Sequence, residues 1–184
     1  MTDSPQSSPS IESRLRRIED RFAINDLVVH YATLLDDCQW DAVGELFTAD
    51  GVFSSPNSTT EGRAAIVANF KVKHEPYGAT LHDPHGIAVD FVDDDHARGT
   101  VIGYAELGMP GCTVSTSIRY HDDYRRDDGV WRFARRHVLS LYGMPLADLA
   151  AGGLGEAERK RWPNRPVGPS ELPDRERRFP GYPG

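Results

Sequence analysis

The first pattern in the chain is a set of apolar residues spaced three and four apart, the repeat of one face of an α-helix. It starts just after residue 10 and ends at two aspartates, Asp36 and Asp37. The residues in the pattern are Ile11, Leu15, Ile18, Phe22, Ile24, Leu27, Val28, Tyr31, Leu34 and Leu35. We therefore predict one long amphipathic helix with these residues on one face.

Two shorter helices follow. The segment "WDAVGELF" places Trp40, Val43, Leu46 and Phe47 on one stripe, and "TADG" closes it before a short apolar strand, "VF". A third helix is predicted over "EGRAAIVANFKV", because the proline and glycine of "HEPYG" come directly after it.

Beyond the third helix the apolar period changes to two, which is the repeat of a β-strand. Ile87, Val89 and Phe91 mark the first of these strands. Three more are predicted over residues 97–107, residues 113–124 and "VWRFARRHVLSLYG", with turns at "DDDH", "GMPG" and "RRDDG". Three helices followed by an antiparallel meander predict an α+β fold, with the helices on one face of a curved sheet.

The length of 184 residues suits one domain with two tails. We predict a loose Ser/Pro-rich tail over residues 1–9, a domain over residues 10–143 and an extension over residues 144–184. In the extension, "LADLAAGGLGEAERKRW" allows a short helix after its glycines. The end, "PNRPVGPSELPDRERRFPGYPG", is too rich in proline and charge for regular structure to be expected.

Composition narrows the class of protein. The 21 Lys and Arg against 28 Asp and Glu give a net charge of -7, which would repel a phosphate backbone, so nucleic acid is not an expected partner. The two cysteines, Cys38 and Cys112, match neither zinc spacing nor a disulfide framework. No run approaches the roughly 18 apolar residues of a membrane span, and the N-terminus has no apolar signal region. We expect a cytoplasmic protein without a membrane partner.

The segment "ATLHDPHG" concentrates chemistry, because His82, Asp83 and His85 lie within four positions. Three positions along a strand point to opposite sides, and Pro84 interrupts regular geometry, so we do not predict a metal site here. The chain also lacks GxGxxG, P-loop and GxSxG motifs, which makes a cofactor-independent reaction the best fit.

Four segments carry a resemblance to a known family. They are "INDLVVHYATLLDDCQWDAVGELFTADGVF", "EGRAAI", the "TLH" that leads into a strand, and "YRRDDGVWRFARR", together spanning about residues 11–140. With the element order above, they resemble the SnoaL-like branch of the NTF2-like superfamily, whose relatives include scytalone dehydratase, bile-acid dehydratase and lindane dehydrochlorinase. The first and last segments are fairly specific as a pair.

The resemblance implies a cone, in which a curved antiparallel sheet wraps around the long helix and leaves an apolar pocket at its open end. Such a pocket suits a small, mostly apolar ligand fixed by a few polar groups. Tyr31 falls where the family keeps a substrate-polarising tyrosine, Asp36 where it keeps a carboxylate, and His82 where it keeps the catalytic histidine. The family's further acid or base in the strand "GYAELGM" is missing, with Glu106 the nearest ionisable group, and the C-terminal extension has no counterpart.

His82 and Asp36 make chemical sense as a dyad, since a carboxylate on one imidazole nitrogen leaves the other free to take a proton. The alternative is a strand histidine hydrogen-bonded at the sheet edge, with Asp36 only ending its helix. Tyr31 either donates a hydrogen bond to a developing oxyanion or packs in the core.

Five further residues are candidate substrate contacts: His85, Glu106, Tyr104, His137 and Trp40. Each has an ordinary alternative. His137 shares a strand parity with Trp131 and Phe133, which puts it in the pocket or in the core, and Trp40 suits the core. The face on which Glu106 and Tyr104 lie is not readable from the sequence.

We predict a cofactor-independent lyase or isomerase, dehydratase-like, acting on a small carbonyl-containing or polyketide- or steroid-like metabolite. A non-catalytic binding or accessory subunit is the alternative, favoured if Glu106 and His137 both point away from the pocket and Asp36 does not reach His82. Epoxide hydrolysis or cyclisation is a third class. Because the outer face of the sheet must be covered, and because the family implies it, a homodimer or higher homo-oligomer is expected.

Overall fold

The computed structural model describes residues 10–163 and 165–171 of the chain. The predicted tail at residues 1–9 and the last residues of the extension lie outside the described part. Four α-helices are present in it: α1 (Ile11–Asp36), α2 (Trp40–Glu45), α3 (Arg63–His74) and α4 (Leu146–Ala150). Ser10 caps α1, because its hydroxyl accepts the backbone N–H of Ser13 at 3.1 Å.

The strands form one sheet. They are β1 (Phe47–Ser55), β2 (Ser58–Glu61), β3 (Ala79–Phe91), β4 (His96–Met109), β5 (Cys112–Asp127) and β6 (Val130–Pro145), in the spatial order β2-β1-β6-β5-β4-β3. The α+β cone is confirmed. The prediction of a purely antiparallel sheet is wrong, because β1 runs parallel to β6. No hairpin joins these two strands, so no turn signal in the sequence defines their relative direction.

The second helix is shorter than its apolar stripe predicts. It ends at Glu45, and Phe47 begins β1 instead of closing the helix. The strand β2 is absent from the sequence prediction, since its residues, "STTE", are all polar and show no alternation.

The apolar residues of α1 occupy two faces of the helix. The second half of the pattern, including Ile24, Tyr31 and Leu35, is buried in the core. Ile11 and Phe22 are 83% and 66% exposed. Leu15 and Ile18 are also exposed, though less so. The prediction of a single face is therefore wrong, because spacings of three and four also arise on a second stripe.

Several strand pairs contain register shifts, and two of these, one in β3 and one in β6, bear on the candidate site residues. In β3 the pairing with β4 shifts between Pro84 and Gly86, so His85 has no partner. In β6 the pairing with β5 passes from Phe133 directly to Arg135. A bulge inserts one residue and inverts the parity of the strand beyond it. As a result Arg136, at 1% exposure, points inward in place of its neighbours.

The extension returns along the sheet. Helix α4 comes before the glycines, not after them as predicted, and Gly152, with φ at 91°, ends it in the left-handed region. The chain then runs back beside β6, where Lys160 pairs with Gly143 and with Gly168. Among residues 10–163 and 165–171, no helix combines the length and apolarity needed to cross a membrane.

Candidate active site

The concave side of the sheet and α1 enclose a cavity of about 700 Å³. Its volume is typical of a small-molecule site. The apolar part of its wall comes from α1, β1, α3 and the inner faces of β4, β5 and β6, through Leu35, Phe53, Phe70, Ala105, Leu107, Ile118 and Val138.

His82 and Asp36 meet at this wall. The Nδ1 atom of His82 lies 2.7 Å from Oδ1 of Asp36, and the backbone N–H of His82 donates to Oδ2 at 2.8 Å. The hydroxyl of Thr80 donates to Oδ1 at 2.7 Å. Asp36 is the last residue of α1, and Thr80 and His82 share a face of β3, so the helix end and the strand form the pair together.

The electrostatics of the pair favour an ionised carboxylate. Burial acts to raise the pKa of Asp36, but the hydrogen bonds from the His82 ring, the His82 backbone and Thr80 outweigh it, and the net direction is downward. With Nδ1 bound to Asp36, the other ring nitrogen of His82, Nε2, has no hydrogen-bond partner in the described part of the chain. His82 lines the cavity, so a basic nitrogen is available to a ligand.

Two tyrosine hydroxyls, on Tyr31 and Tyr120, also lie at the cavity. Neither takes part in a hydrogen bond among the described residues, and their rings make an edge contact with centroids 6.1 Å apart. Burial raises the pKa of Tyr31 well above its ordinary value and raises the pKa of Tyr120 as well. Both hydroxyls therefore stay protonated at neutral pH and remain hydrogen-bond donors.

Arg136 lies beneath these tyrosines, and the alternation of apolar residues along β6 does not predict this position. Its guanidinium carbon is 4.2 Å from the ring centroid of Tyr31 and 3.9 Å from that of Tyr120. One ion pair, Nη2 to Oδ2 of Asp122 at 3.3 Å, balances the charge. Burial raises the pKa of Asp122 to about 6, while Arg136 and the Tyr124 hydroxyl act against that rise, so both members of the pair are charged at neutral pH.

A second imidazole faces the same space. His74, from the last turn of α3, lines the cavity with its ring centroid 6.4 Å from that of His82. Its Nδ1 lies 2.9 Å from the carbonyl oxygen of Phe70, and burial lowers its pKa, which favours the neutral ring. It sits in a helical segment without a motif, so no sequence signal marks it as a site residue.

The C-terminal extension forms part of the cavity wall. Trp162 lines the cavity and packs on Gly143, where a Cβ would come within 2.6 Å of its ring. Glu171 fixes the end of the segment by accepting from the backbone N–H of Ser140 at 2.8 Å and from Nζ of Lys160 at 2.5 Å. The segment contributes to the pocket although its sequence shows no periodic pattern.

The remaining candidates lie away from the cavity. Glu106, Tyr104 and His85 are exposed, and the ring of His85 stacks on Tyr104 with centroids 5.1 Å apart. His137 hydrogen-bonds Ser54 at 2.9 Å on the outer side of the sheet. None of these four predicted substrate contacts lines the cavity, because alternation along β3 and β4 turns three of them outward and the bulge between Phe133 and Arg135 turns His137 outward.

Trp40 is also outside the cavity wall. It packs against the core with its ring 5.3 Å from His74, behind that imidazole. Trp40 is therefore better described as a residue packed on the core than as a direct substrate contact. Within the described part of the chain, no group of three or more His, Cys, Asp or Glu side chains is arranged to hold a metal ion.

A helix wrapped by a curved sheet, with a mostly apolar cavity between them, is the architecture of the NTF2-like superfamily. The chain belongs to the SnoaL-like domain family, whose model matches residues 16–137. The family predicted from the four sequence segments is confirmed.

Similar proteins include lyases. A gamma-hexachlorocyclohexane dehydrochlorinase of Sphingobium indicum is 26% identical over 147 residues, covering 74% of this chain and 90% of the relative. A hexachlorocyclohexane dehydrochlorinase of Novosphingobium barchaimii superposes with a TM-score of 0.69 at 22% identity, over 73% of this chain and 95% of the other. A candidate scytalone dehydratase of Novosphingobium aromaticivorans gives 0.66 at 23% identity, over 70% and 89%. The structural likenesses establish the fold, and the relatives support a lyase-type activity.

Proposed function

We propose that the protein is a cofactor-independent lyase that removes a proton from a small, largely apolar substrate and expels a leaving group from the neighbouring carbon. The observation that carries the proposal is the 2.7 Å contact between His82 Nδ1 and Asp36, at the wall of a cavity of about 700 Å³. Water is the leaving group that we name first, from a carbonyl compound of the polyketide or steroid type, and an isomerase would use the same first step.

The proton moves from substrate carbon to Nε2 of His82. The electron pair of the broken C–H bond forms the new double bond as the bond to the leaving hydroxyl breaks, and the imidazolium returns its proton to that oxygen, which leaves as water. Asp36 stabilises the imidazolium, because its ionised carboxylate is held by three donors, including Thr80.

Tyr31 and Tyr120 supply donors for a substrate carbonyl. As a proton leaves the adjacent carbon, negative charge develops on that oxygen, and preorganised donors stabilise it most. The hydroxyls have no other partner in the described part of the chain, and the charge of Arg136 beneath the rings adds a favourable potential. Tyr31 is the donor expected from the sequence, and Tyr120 shares the role.

A non-catalytic binding module is the second candidate. Neither Glu106 nor His137 lines the cavity, which meets half of the condition that favours binding alone. The other half is not met, because Asp36 reaches His82. Epoxide hydrolysis has less support, because it needs an arginine between two acidic groups. Among the described residues, Arg136 pairs with one carboxylate, that of Asp122.

The test compares His82→Ala with wild type on two sets of probes: γ-hexachlorocyclohexane, followed by chloride release, and β-hydroxy ketones, followed by absorbance of the conjugated product. We expect wild-type turnover on at least one probe and a fall of at least about 10²-fold in His82→Ala, as for loss of a general base. His85→Ala, three residues away on the outer side, is the matched control and should keep wild-type turnover.

Binding of the same probes, measured by the shift in thermal unfolding, separates the two candidates. If the protein is a lyase, His82→Ala should still bind the probe while its turnover falls by at least about 10²-fold. Full turnover by His82→Ala would contradict it, and probes that bind tightly to wild type without reacting would favour the binding module.

A further inference from the structure

The outer face of α1 carries an exposed apolar stripe. Leu15, Phe22 and Val29 recur every seven residues, and Ile11, Ile18 and Asn25 recur every seven residues between them. The five apolar members are between 43% and 83% exposed, and Asn25 is exposed as well. The core-facing residues of the same helix are almost fully buried, so the stripe lies on the side turned away from the cone.

The spacing of the stripe is that of a two-stranded coiled coil. Two positions per seven residues, alternately three and four apart, form the seam by which helices pack side by side. The stripe from Ile11 to Val29 covers 19 positions, about 27 Å of helix. Since the domain already folds α1, a partner helix would not have to supply the cost of forming it.

Charges flank the stripe in an ordered way. One edge carries acidic residues, each one position after a stripe residue: Glu12, Glu19 and Asp26. The other edge carries Arg14 and Arg21, each one position before a stripe residue. Arg14 and Glu19 make no ion pair within residues 10–163 and 165–171, whereas Arg21 also donates to the carbonyl of Val89 at 3.1 Å. One edge is therefore acidic and the other basic.

This charge pattern selects the occupant and its direction. In a parallel pair of identical helices, the basic edge of one faces the acidic edge of the other, so Arg14 meets Glu19 of the second copy. In an antiparallel pair, like edges meet and like charges repel. We propose that the stripe is the interface of a parallel homodimer, in which the α1 helices of two copies pack along their outer faces.

Sedimentation of the full chain tests the interface. We expect wild type to sediment as a dimer and Phe22→Glu, which puts a charge in the centre of the seam, to sediment as a monomer. Ala23→Glu is the matched control, because Ala23 is exposed on the same helix beside the stripe and should leave the dimer intact. Since Phe22 is 66% exposed, Phe22→Glu should keep its circular dichroism spectrum and unfolding temperature.

A charge exchange tests that the partner is a second copy in the parallel direction. Arg14→Glu should weaken the dimer by about threefold to tenfold, since it opposes Glu19 of the other copy with a like charge. Adding Glu19→Arg to Arg14→Glu should restore the wild-type dissociation constant. If another protein or another segment of the chain packed on the stripe instead, the double variant would not restore binding.

Cross-linking fixes the direction independently. In a background of Cys38→Ser and Cys112→Ser, Leu15→Cys and Asn25→Cys should each form disulfide dimers with themselves. An antiparallel pair would cross-link only when the two variants are mixed. A monomeric wild-type protein, equal behaviour of Phe22→Glu and Ala23→Glu, or cross-linking confined to the mixture would each overturn the proposal.

Discussion

His82 and His85 lie three residues apart on the same strand and have opposite surroundings. His82 faces the cavity with its ring fixed by Asp36, whereas His85 is exposed and stacks on Tyr104. The difference comes from the alternation of side chains along β3, because positions three apart on a strand point to opposite sides, and a bulge also leaves His85 without a pairing partner on β4. Residue type alone therefore does not define the site, because the side of the strand decides which histidine lines the cavity.

The same contrast recurs on neighbouring positions elsewhere in the sheet. Asp122 is buried beneath the cavity against Arg136, whereas Asp123 is half-exposed and lies 3.5 Å from Arg98. Each such pair consists of one residue that faces the interior and a nearby one that faces solvent. The same substitution at both positions gives a test variant and its matched control.

The first pair is Asp122 and Asp123. Asp122→Asn should lower the free energy of unfolding by about 3–5 kcal/mol, because it leaves the buried charge of Arg136 unpaired. Asp123→Asn should change it by less than about 0.5 kcal/mol. Urea unfolding of both variants at neutral pH measures the contrast. Equal losses of unfolding free energy would show that the buried ion pair contributes no more to stability than the exposed one.

The pH dependence of stability has a definite sign at Asp122. Its pKa of about 6 in the folded state exceeds the unfolded value of about 3.9, so between those values the folded protein keeps a proton that the unfolded chain releases. This group's contribution to the free energy of unfolding therefore falls as pH rises through that window. Asp36 contributes in the opposite direction, because its pKa is lowered. Asp122→Asn should remove the fall, and an unchanged profile would contradict the assignment.

The second pair is Asp36 and Asp83, which flank His82 on opposite sides of the strand. Asp36→Asn should reduce kcat by about 10- to 10²-fold, since the ring of His82 loses both orientation and the charge that stabilises its protonated form. Asp83→Asn, on the exposed side, should keep wild-type kcat. Steady-state kinetics on the probe substrate measures both, and a kcat for Asp36→Asn close to wild type would remove the carboxylate from the mechanism.

The third pair, Gly143 and Gly155, tests the C-terminal wall. A Cβ on Gly143 would overlap the ring of Trp162, whereas none of the described atoms lies within 4 Å of a Cβ on Gly155. Gly143→Ala should cost about 1–3 kcal/mol of unfolding free energy and raise KM, because the wall of the cavity moves. Gly155→Ala should do neither. An unchanged KM in a destabilised Gly143→Ala would mean that this wall does not touch the substrate.

The sequence was enough to predict the α+β cone and the meeting of His82 with Asp36, but not strand β2 or the parallel pairing of β1 with β6. Hydrophobic period and the family resemblance led to the cone and to His82 with Asp36, although 46 positions separate them. The sequence could not show that His137 faces outward and Arg136 inward, because the bulge in β6 leaves no mark in the alternation. Nor could it indicate the wall around Trp162, since a proline-rich segment has no period to read.

The exposed residues of α1 show a related limit. Apolar positions three and four apart indicate a helix, but they do not say which stripe enters the core. Phe22 and Ile24 both fit the pattern, and the structure buries Ile24 alone.

In the proposed mechanism, Asp36 holds the proton on Nδ1 of His82, so that Nε2 is the free base inside the cavity. Long-range proton–nitrogen NMR of ¹⁵N-labelled protein, at a pH where the imidazole is neutral, measures this directly. We expect His82 to be protonated on Nδ1 in wild type and Asp36→Asn to lose this preference. A His82 ring protonated on Nε2 in the wild-type protein would contradict it.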